Sequence, residues 1–400
     1  MKCFEKKVPI VFAANDKYIP YLGVALYSLI QHASNHYKYD IYILSADINM
    51  HHKLRIQSME RENIHIVFVD VTEHMKDFII PTVGHLSQET AYRLLVDQFF
   101  SEFDKILYLD CDLVVNKDVA LLYHEDISGA IVGACRANII IRHLQYITEE
   151  LCVPTASYFN AGVLLINIDL FKKYNIGKRG LEMLAEKRYL CQDQDVLNIL
   201  CQEKVKYLDR RWNVEWEYLT GDGVDLFVDE IRMNYKEDLM NPRIVHYTSP
   251  IKPWEYPEYT LAEYFWKYAR ETVFYEEILK INLKTLNDKV NSFNQFLFPW
   301  EGVKPRSKVI LYGGGAVGKA YINQIKETKY CTILAVCDTY PEKVKEIILP
   351  IITLDKIHLF PFDIIVISIV DEKKACQIKN DLINKGIEET KIYWRNPTSV

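Results

Sequence analysis

Lys105-Ile106-Leu107-Tyr108-Leu109 runs directly into Asp110-Cys111-Asp112: an apolar stretch of strand length that ends on two carboxylates one residue apart. A short apolar run closed by turn-forming residues reads as a buried strand. Runs of the same kind lie upstream at Val8 to Ala14, Asp40 to Leu44 and His65 to Val69. Between them, Tyr18 to His32, about Asn49 to Arg61, and Glu89 to Phe100 carry apolar residues at helical spacing. Such alternation predicts a parallel, doubly wound α/β sheet, whose ligands bind beyond the carboxyl ends of the strands, where Asp110 and Asp112 stand. Downstream, strands at Ala130 to Cys135, Gly162 to Ile168 and Val205 to Leu208, with helices over 178–188 and 194–203, extend this unit to roughly 260 residues.

The remainder forms a second unit. From Tyr259 to about Leu297 the chain is rich in Tyr, Phe, Trp and Lys, lacks Gly and Pro, and reads as helical; Pro299, Gly302 and Pro305 then mark a boundary at 300–306. This gives a domain over 1–258, a helical linker over 259–306 and a smaller α/β domain over 307–400. The smaller domain has strands at Lys308 to Tyr312, Ile333 to Val336 and Ile364 to Ser368, a helix to about 327 and another over 373–385. The stretch from Tyr259 to Lys284 suits an interfacial helix or packing between domains; Tyr264, Trp266, Tyr268, Phe274 and Tyr275 favour packing, and Glu271, Glu276 and Glu277 oppose attraction to anionic lipid.

Composition narrows the function classes. In 400 residues, 49% are hydrophobic and 26% charged, with 15 Gly and 14 Pro, which excludes a disordered or collagen-like chain and favours two domains. Lys and Arg number 48 against 54 Asp and Glu, a net charge of −6, so there is no general basic field for nucleic acid. The nine cysteines contain no C-x-x-C pair and read as buried thiols of a reducing compartment. The charged start, Met1 to Lys7, has no separate apolar region ending in a cleavage site, and no apolar run approaches the roughly 20 residues of a spanning helix. The expected location is cytoplasmic, with peripheral association at the inner face of the membrane left open.

Four constellations carry chemistry. Asp110 and Asp112 can both reach one divalent cation, and oxygen ligands suit Mg²⁺ or Mn²⁺; aspartates in a turn equally serve as caps. Tyr158-Phe159-Asn160-Ala161-Gly162 is either a corner where a ligand approaches the backbone or a turn in which Gly supplies an unusual φ. Gln192-Asp193-Gln194-Asp195 heads a helix, where acidic residues serve the dipole; residues 193 and 195 cannot face one ligand on a regular helix, so at most one belongs to a site. His246-Tyr247-Thr248-Ser249-Pro250-Ile251-Lys252-Pro253-Trp254 sets a candidate metal ligand and a phosphate partner around a proline-fixed loop, although lone histidines are usually structural.

Together with Phe12-Ala13-Ala14-Asn15-Asp16-Lys17-Tyr18 and Ala91-Tyr92-Arg93-Leu94, these motifs resemble glycosyltransferase family 8 over about residues 8–256. The likeness is greatest to bacterial galactosyl- and glucosyltransferases of lipopolysaccharide and other surface glycans. It implies a nucleotide-diphospho-sugar transferase (GT-A-like) fold with a mixed, mostly parallel sheet. It also implies retaining transfer of galactose or glucose from a uridine diphosphate (UDP) sugar to a hydroxyl of a glycan or lipid-linked glycan. By that resemblance Asp110, Asp112 and His246 hold Mn²⁺ or Mg²⁺, and Lys252 meets a phosphate oxygen. Ala13, Asn15 and Tyr18 line the uridine pocket, and Arg93, Asn160, Ala161 and Asp193 surround the donor sugar. Gln194 lies near the anomeric carbon, opposite the leaving group; being a poor nucleophile, it leaves open a front-face route in which the phosphate takes the acceptor's proton. Asn15, Lys17 and Ser249 stand where the family often has Asp, Asn and Gly.

In the smaller domain, Gly313-Gly314-Gly315-Ala316-Val317-Gly318 fits G-x-G-x-x-G between a strand and a helix, and Asp338 follows about 20 residues later, where a ribose-binding acid is expected. This looks like the small Rossmann-type domains appended to bacterial sugar-modifying enzymes, with Gly313, Gly315, Gly318 and Asp338 toward a nucleotide; glycines kept for close packing explain the loop as well. Two other functions stay in view: an NAD(P)-dependent oxidoreductase acting through this loop, and a non-catalytic sugar-nucleotide-binding scaffold. Neither needs Asp110, Asp112, Gln194, His246 and Lys252 together. The hexose, the acceptor, the ligand of the smaller domain and the oligomeric state are not set by these residues.

Overall fold

A computed structural model describes residues 6–78, 80, 87–138, 143–215, 238–248, 252–255, 261–289, 296–341, 344, 347 and 349–398. The chain divides into two compact units, Met1–Pro253 with Glu258–Phe274, and Trp254–Pro257 with Tyr275–Val400. The segment expected as one helical linker is thereby shared: helix Ala262–Ala269 belongs to the first unit and helix Tyr275–Lys289 to the second.

The first unit contains ten strands among its described residues: β1 (Lys7–Ala13), β2 (Lys38–Ser45), β3 (Ile64–Asp70), β4 (Lys105–Leu109), β5 (Leu113–Val115), β6 (Val132–Arg136), β7 (Phe159–Asn167), β8 (Val205–Tyr207), β9 (Val214–Glu215) and β10 (Ile244–His246). Seven form one sheet in the order β3-β2-β1-β4-β7-β6-β8, and β5-β10-β9 form a second, small sheet. The parallel sheet predicted by the alternation of strands and helices has one exception, β7, which is antiparallel to both β4 and β6. Strand direction is invisible in an apolar run that is buried on both faces: β7 reads Phe-Asn-Ala-Gly-Val-Leu-Leu-Ile-Asn with eight of its nine residues buried. The sheet is thus mixed and mostly parallel, as the resemblance implies.

The segment expected as a helix over 89–100 begins as a 3₁₀ stretch, Gln88–Leu95, followed by one α-helical turn, Val96–Phe99. Its buried face, Ala91 to Leu95, joins the core with Tyr108, Phe159, Leu164 and Phe171, so tertiary packing sets the winding here. Helix Ile19–His32 starts with Pro20 in its first turn, where no amide hydrogen is needed. In helix Ala262–Ala269, Trp266 and Tyr268 are buried, and Phe274 beyond it is too, so these rings are used in packing. Among the described residues, no helix is long and apolar enough to cross a membrane.

The second unit is an all-parallel sheet of β11 (Lys308–Tyr312), β12 (Thr332–Cys337), β13 (Ile351–Ile352), β14 (Ile364–Ile367) and β15 (Ile392–Tyr393), in the order β13-β12-β11-β14-β15. Helix Ala316–Thr328 follows β11 and helix Glu372–Asn384 follows β14. Tyr275, also of this unit, stacks on Tyr330 with centroids 5.4 Å apart and meets Trp300 edge-on.

Candidate active site

The carboxyl ends of β1 and β4 and the amino end of the antiparallel β7 open onto one cavity of about 340 Å³. Ala13, Asn15, Tyr18, Arg93, Asp110, Asp112, Asn160, Ala161, Asp193, Gln194, His246 and Lys252, which the sequence singles out one motif at a time, all line it. Ser249 lies outside the described residues, and Lys17 is exposed and absent from the lining.

Register places the acidic pair. The amide of Asp110 donates to the carbonyl of Gly162 at 2.8 Å, continuing the β4–β7 ladder. His246 sits opposite Leu113 in the β10–β5 pairing, and the Tyr247 amide donates to the Asp112 carbonyl at 2.8 Å. His246 Nε2 therefore stands 3.6 Å from Asp110 Oδ2 and 3.3 Å from Asp112 Oδ1. Between the two carboxylates, Cys111 turns away and donates its thiol to the Ala13 carbonyl; burial first, then the flanking aspartates, push that thiol up.

Gly162 is there for space. A Cβ would lie 2.0 Å from His246 Cε1 and 2.7 Å from Asp110 Oδ2. Its φ is not positive, so the turn-glycine alternative is replaced by close approach to the site.

A buried chain of hydrogen bonds fixes the imidazole. The Gly162 amide can only donate, and it donates to Asn160 Oδ1 at 2.8 Å. Asn213 Nδ2 donates to the same oxygen at 2.8 Å, which turns Asn213 Oδ1 toward His246 Nδ1, 2.9 Å away. Nδ1 must then carry the proton, and Nε2 presents its lone pair to the two carboxylates. Two carboxylate oxygens and one imidazole nitrogen, with ligand atoms within 4.8 Å of one another, suit a hard divalent cation. Asn213 has no motif around it, so the sequence alone did not identify it.

Two cations balance the acids. Lys252 Nζ lies 2.6 Å from Asp112 Oδ2 and also donates to the Tyr247 carbonyl. Burial would raise the Asp112 carboxyl, but the Lys252 ammonium beside it outweighs that and holds it well below the usual carboxylate range. Arg93, buried beside the Tyr108 ring, reaches Asp110 Oδ1 at 2.7 Å and Asp193 Oδ2 at 2.9 Å, and donates to the carbonyls of Thr90 and Ala161. Burial pushes Asp193 up to about 6, with Arg93 opposing and Asp110 adding to the rise. Glu215, next to His246 across the β9–β10 pairing, is pushed by burial to about 7, with the Asn138 amide and Arg210 opposing.

At the head of helix Asp193–Cys201, Gln192 adopts φ 41°, a strained conformation for a side chain-bearing residue, and its Oε1 accepts from Thr90 Oγ1 at 2.9 Å. Asp193 faces the cavity. Asp195 lies behind the wall, accepting from the hydroxyls of Tyr146 and Tyr158 and from the Cys191 amide. Gln194 is bracketed: its Oε1 accepts from the Ala161 amide and its Nε2 donates to Tyr158 Oη, each at 3.1 Å.

In the second unit, Gly313 has φ +115°, and a Cβ on Gly318 would come within 2.0 Å of the Gly313 carbonyl, so this glycine lets the helix sit on the strand. Gly314 packs against Val344, while Gly315 borders open space. Asp338 Oδ2 accepts from the Gly314 amide at 2.8 Å, which ties it to the loop.

Comparison with known proteins follows the same division. The family model described as glycosyl transferase family 8 matches residues 9–258, and one described as C2185-like, N-terminal, matches residues 305–393. The lipopolysaccharide 1,3-galactosyltransferase of Salmonella typhimurium is 28% identical over 215 residues, covering 50% of this chain and 59% of that protein. The lipopolysaccharide 1,2-glucosyltransferase of Escherichia coli is 24% identical over 255 residues, 61% of this chain and 72% of that protein. Among solved structures, galactosyltransferase LgtC in complex with donor and acceptor sugar analogs superposes with a TM-score of 0.56 and 28% identity, covering 66% of this chain and 96% of that chain.

Proposed function

The chain belongs to glycosyltransferase family 8, and from that membership we propose that it moves galactose or glucose, with retention, from a UDP-sugar to a sugar hydroxyl of a surface glycan such as lipopolysaccharide. The observation that carries this reading is the convergence of Asp110, Asp112 and His246 with Lys252 in the one cavity that also holds Arg93, Asp193 and Gln194.

Asp110, Asp112 and His246 would hold Mn²⁺, or Mg²⁺. Bound there, the cation supplies charge stabilisation for the departing diphosphate. Lys252 adds a second positive charge on the same side and donates to a phosphate oxygen. Arg93 holds the Asp110 and Asp193 carboxylates in orientation, and Asp193 and the Asn160 amide nitrogen bond donor-sugar hydroxyls. Gln194 has its amide oxygen committed to Ala161, which favours a role in shaping the face opposite the leaving group, with the acceptor's proton passing to the leaving phosphate. Ala13, Asn15 and Tyr18 border the uridine.

The division into a catalytic domain over 1–258, a helical linker and a Rossmann-type domain over 307–400 belongs to the same proposal. For the last of these, the strand order and the Gly313–Gly318 loop support a nucleotide or sugar nucleotide as ligand. The place of action in this proposal is the cytoplasm. Calorimetric titration of UDP tests the reading: binding in Mn²⁺ that disappears in chelator and in His246→Ala is expected, and equal binding in all three contradicts it.

A further inference from the structure

The cavity wall at the end of β1 holds a contact whose chemistry goes beyond metal and phosphate. Asn15 Oδ1 accepts from the Tyr18 amide at 3.2 Å, which fixes the orientation of the side-chain amide. Its Nδ2 then donates to Glu89 Oε2 at 3.0 Å. Glu89 comes from the 3₁₀ stretch Gln88–Leu95, four positions ahead of Arg93, and both Asn15 and Glu89 line the cavity. An amide nitrogen carries two protons and a carboxylate two oxygens, so the contact uses one of each. What remains is a donor on Asn15 beside an acceptor on Glu89.

A pyrimidine edge distinguishes itself by that pattern. Uracil offers a carbonyl oxygen beside N3–H, an acceptor beside a donor, which complements the pair. With Asn15 on the C4 carbonyl, cytosine reverses both groups, setting its exocyclic amine against Asn15 and its N3 lone pair against the carboxylate. A site built to bond a particular hydrogen rejects the analogue lacking it, because its own polar group, here a half-buried carboxylate that the base would cover, is then left unpaired. Resting on the reading that a UDP-sugar occupies this cavity with its base toward Asn15, we propose that Glu89 is a specificity-determining residue that accepts the N3–H of uracil while Asn15 donates to the neighbouring carbonyl. An aspartate at position 15 would face Glu89 with like charge, so the two residues work as a unit.

The test compares UDP with CDP by calorimetry on the full-length, Mn²⁺-loaded protein. The wild type is expected to prefer UDP by about ten- to a hundredfold, the range of one hydrogen bond to a charged group. Glu89→Gln, which keeps the shape but can turn an amine toward N3, is expected to lose most of that preference, with UDP weakened and CDP strengthened. The doubly exchanged Asn15→Asp/Glu89→Gln reverses acceptor and donor together and is expected to turn the preference toward CDP, whose exocyclic amine and N3 lone pair complement the reversed pair. Both nucleotides carry the same diphosphate, so their ratio is insensitive to a partial loss of folded protein. An unchanged ratio in Glu89→Gln overturns the proposal, as does equal weakening of UDP and CDP, which places Glu89 on the ribose. A wild type that binds UDP and CDP equally overturns it too. Failure of the wild type to bind either nucleotide is a different result and overturns the donor reading itself.

Discussion

Asp193→Asn should change how the stability of the first unit depends on pH. The Asp193 side chain is buried, with Arg93 Nε 2.9 Å from its carboxylate, yet burial still lifts the carboxyl from 3.8 to about 6. An acid whose folded-state value is raised binds its proton more tightly in the native protein. Its contribution is therefore fully present below pH 3.8 and is lost as pH rises through about 6. The interval from 3.8 to about 6 corresponds to about 3 kcal/mol at neutral pH, of which about 1.4 kcal/mol falls between pH 5 and pH 8. Urea unfolding of wild type and Asp193→Asn in chelator measures this, and the second unit, identical in both, drops out of the difference. The wild type should lose about 1.4 kcal/mol relative to the mutant between pH 5 and pH 8. A flat difference would show that Arg93 cancels burial, and one that grows in favour of the wild type as pH rises would show that Arg93 outweighs it.

Asn213→Leu removes the acceptor that orients His246, and Mn²⁺ affinity read by calorimetry without nucleotide should fall about ten- to a hundredfold; unchanged affinity would remove Asn213 from the site. Gly162→Ala drives a methyl into His246 and Asp110, so UDP release should be lost while the protein stays folded by circular dichroism. Gly318→Ala sets a methyl 2.0 Å from the Gly313 carbonyl and should destabilise the second unit by about 1–3 kcal/mol in urea, with Mn²⁺ binding by the first unit preserved.

The long strands and the helix after β1 were legible because their apolar periodicity is strong. β5, β9 and β10 were not, since two or three residues carry no period, and their pairing is what brings His246 beside Asp112. The acidic turn and the His246 loop were legible as chemistry through their residue types. Their meeting in space was implied only by the resemblance, because residues 110 and 246 are joined through strand register. Asn213 and Glu89 escaped for a related reason: each acts through a partner distant in sequence, His246 and Asn15 respectively, and neither stands in a patterned motif. Gly162 was noticed, but its cause lay in the imidazole and carboxylate packed against it and not in its own backbone angles.

If the first unit's cavity cleaves a sugar from UDP with help from a divalent cation held by Asp110, Asp112 and His246, the release of UDP from UDP-galactose and UDP-glucose will report it, measured with Mn²⁺ and with chelator for wild type and Asp110→Ala. Release by the wild type that requires Mn²⁺ and falls to background in Asp110→Ala is the predicted result. Release that persists in chelator and in Asp110→Ala would contradict the account.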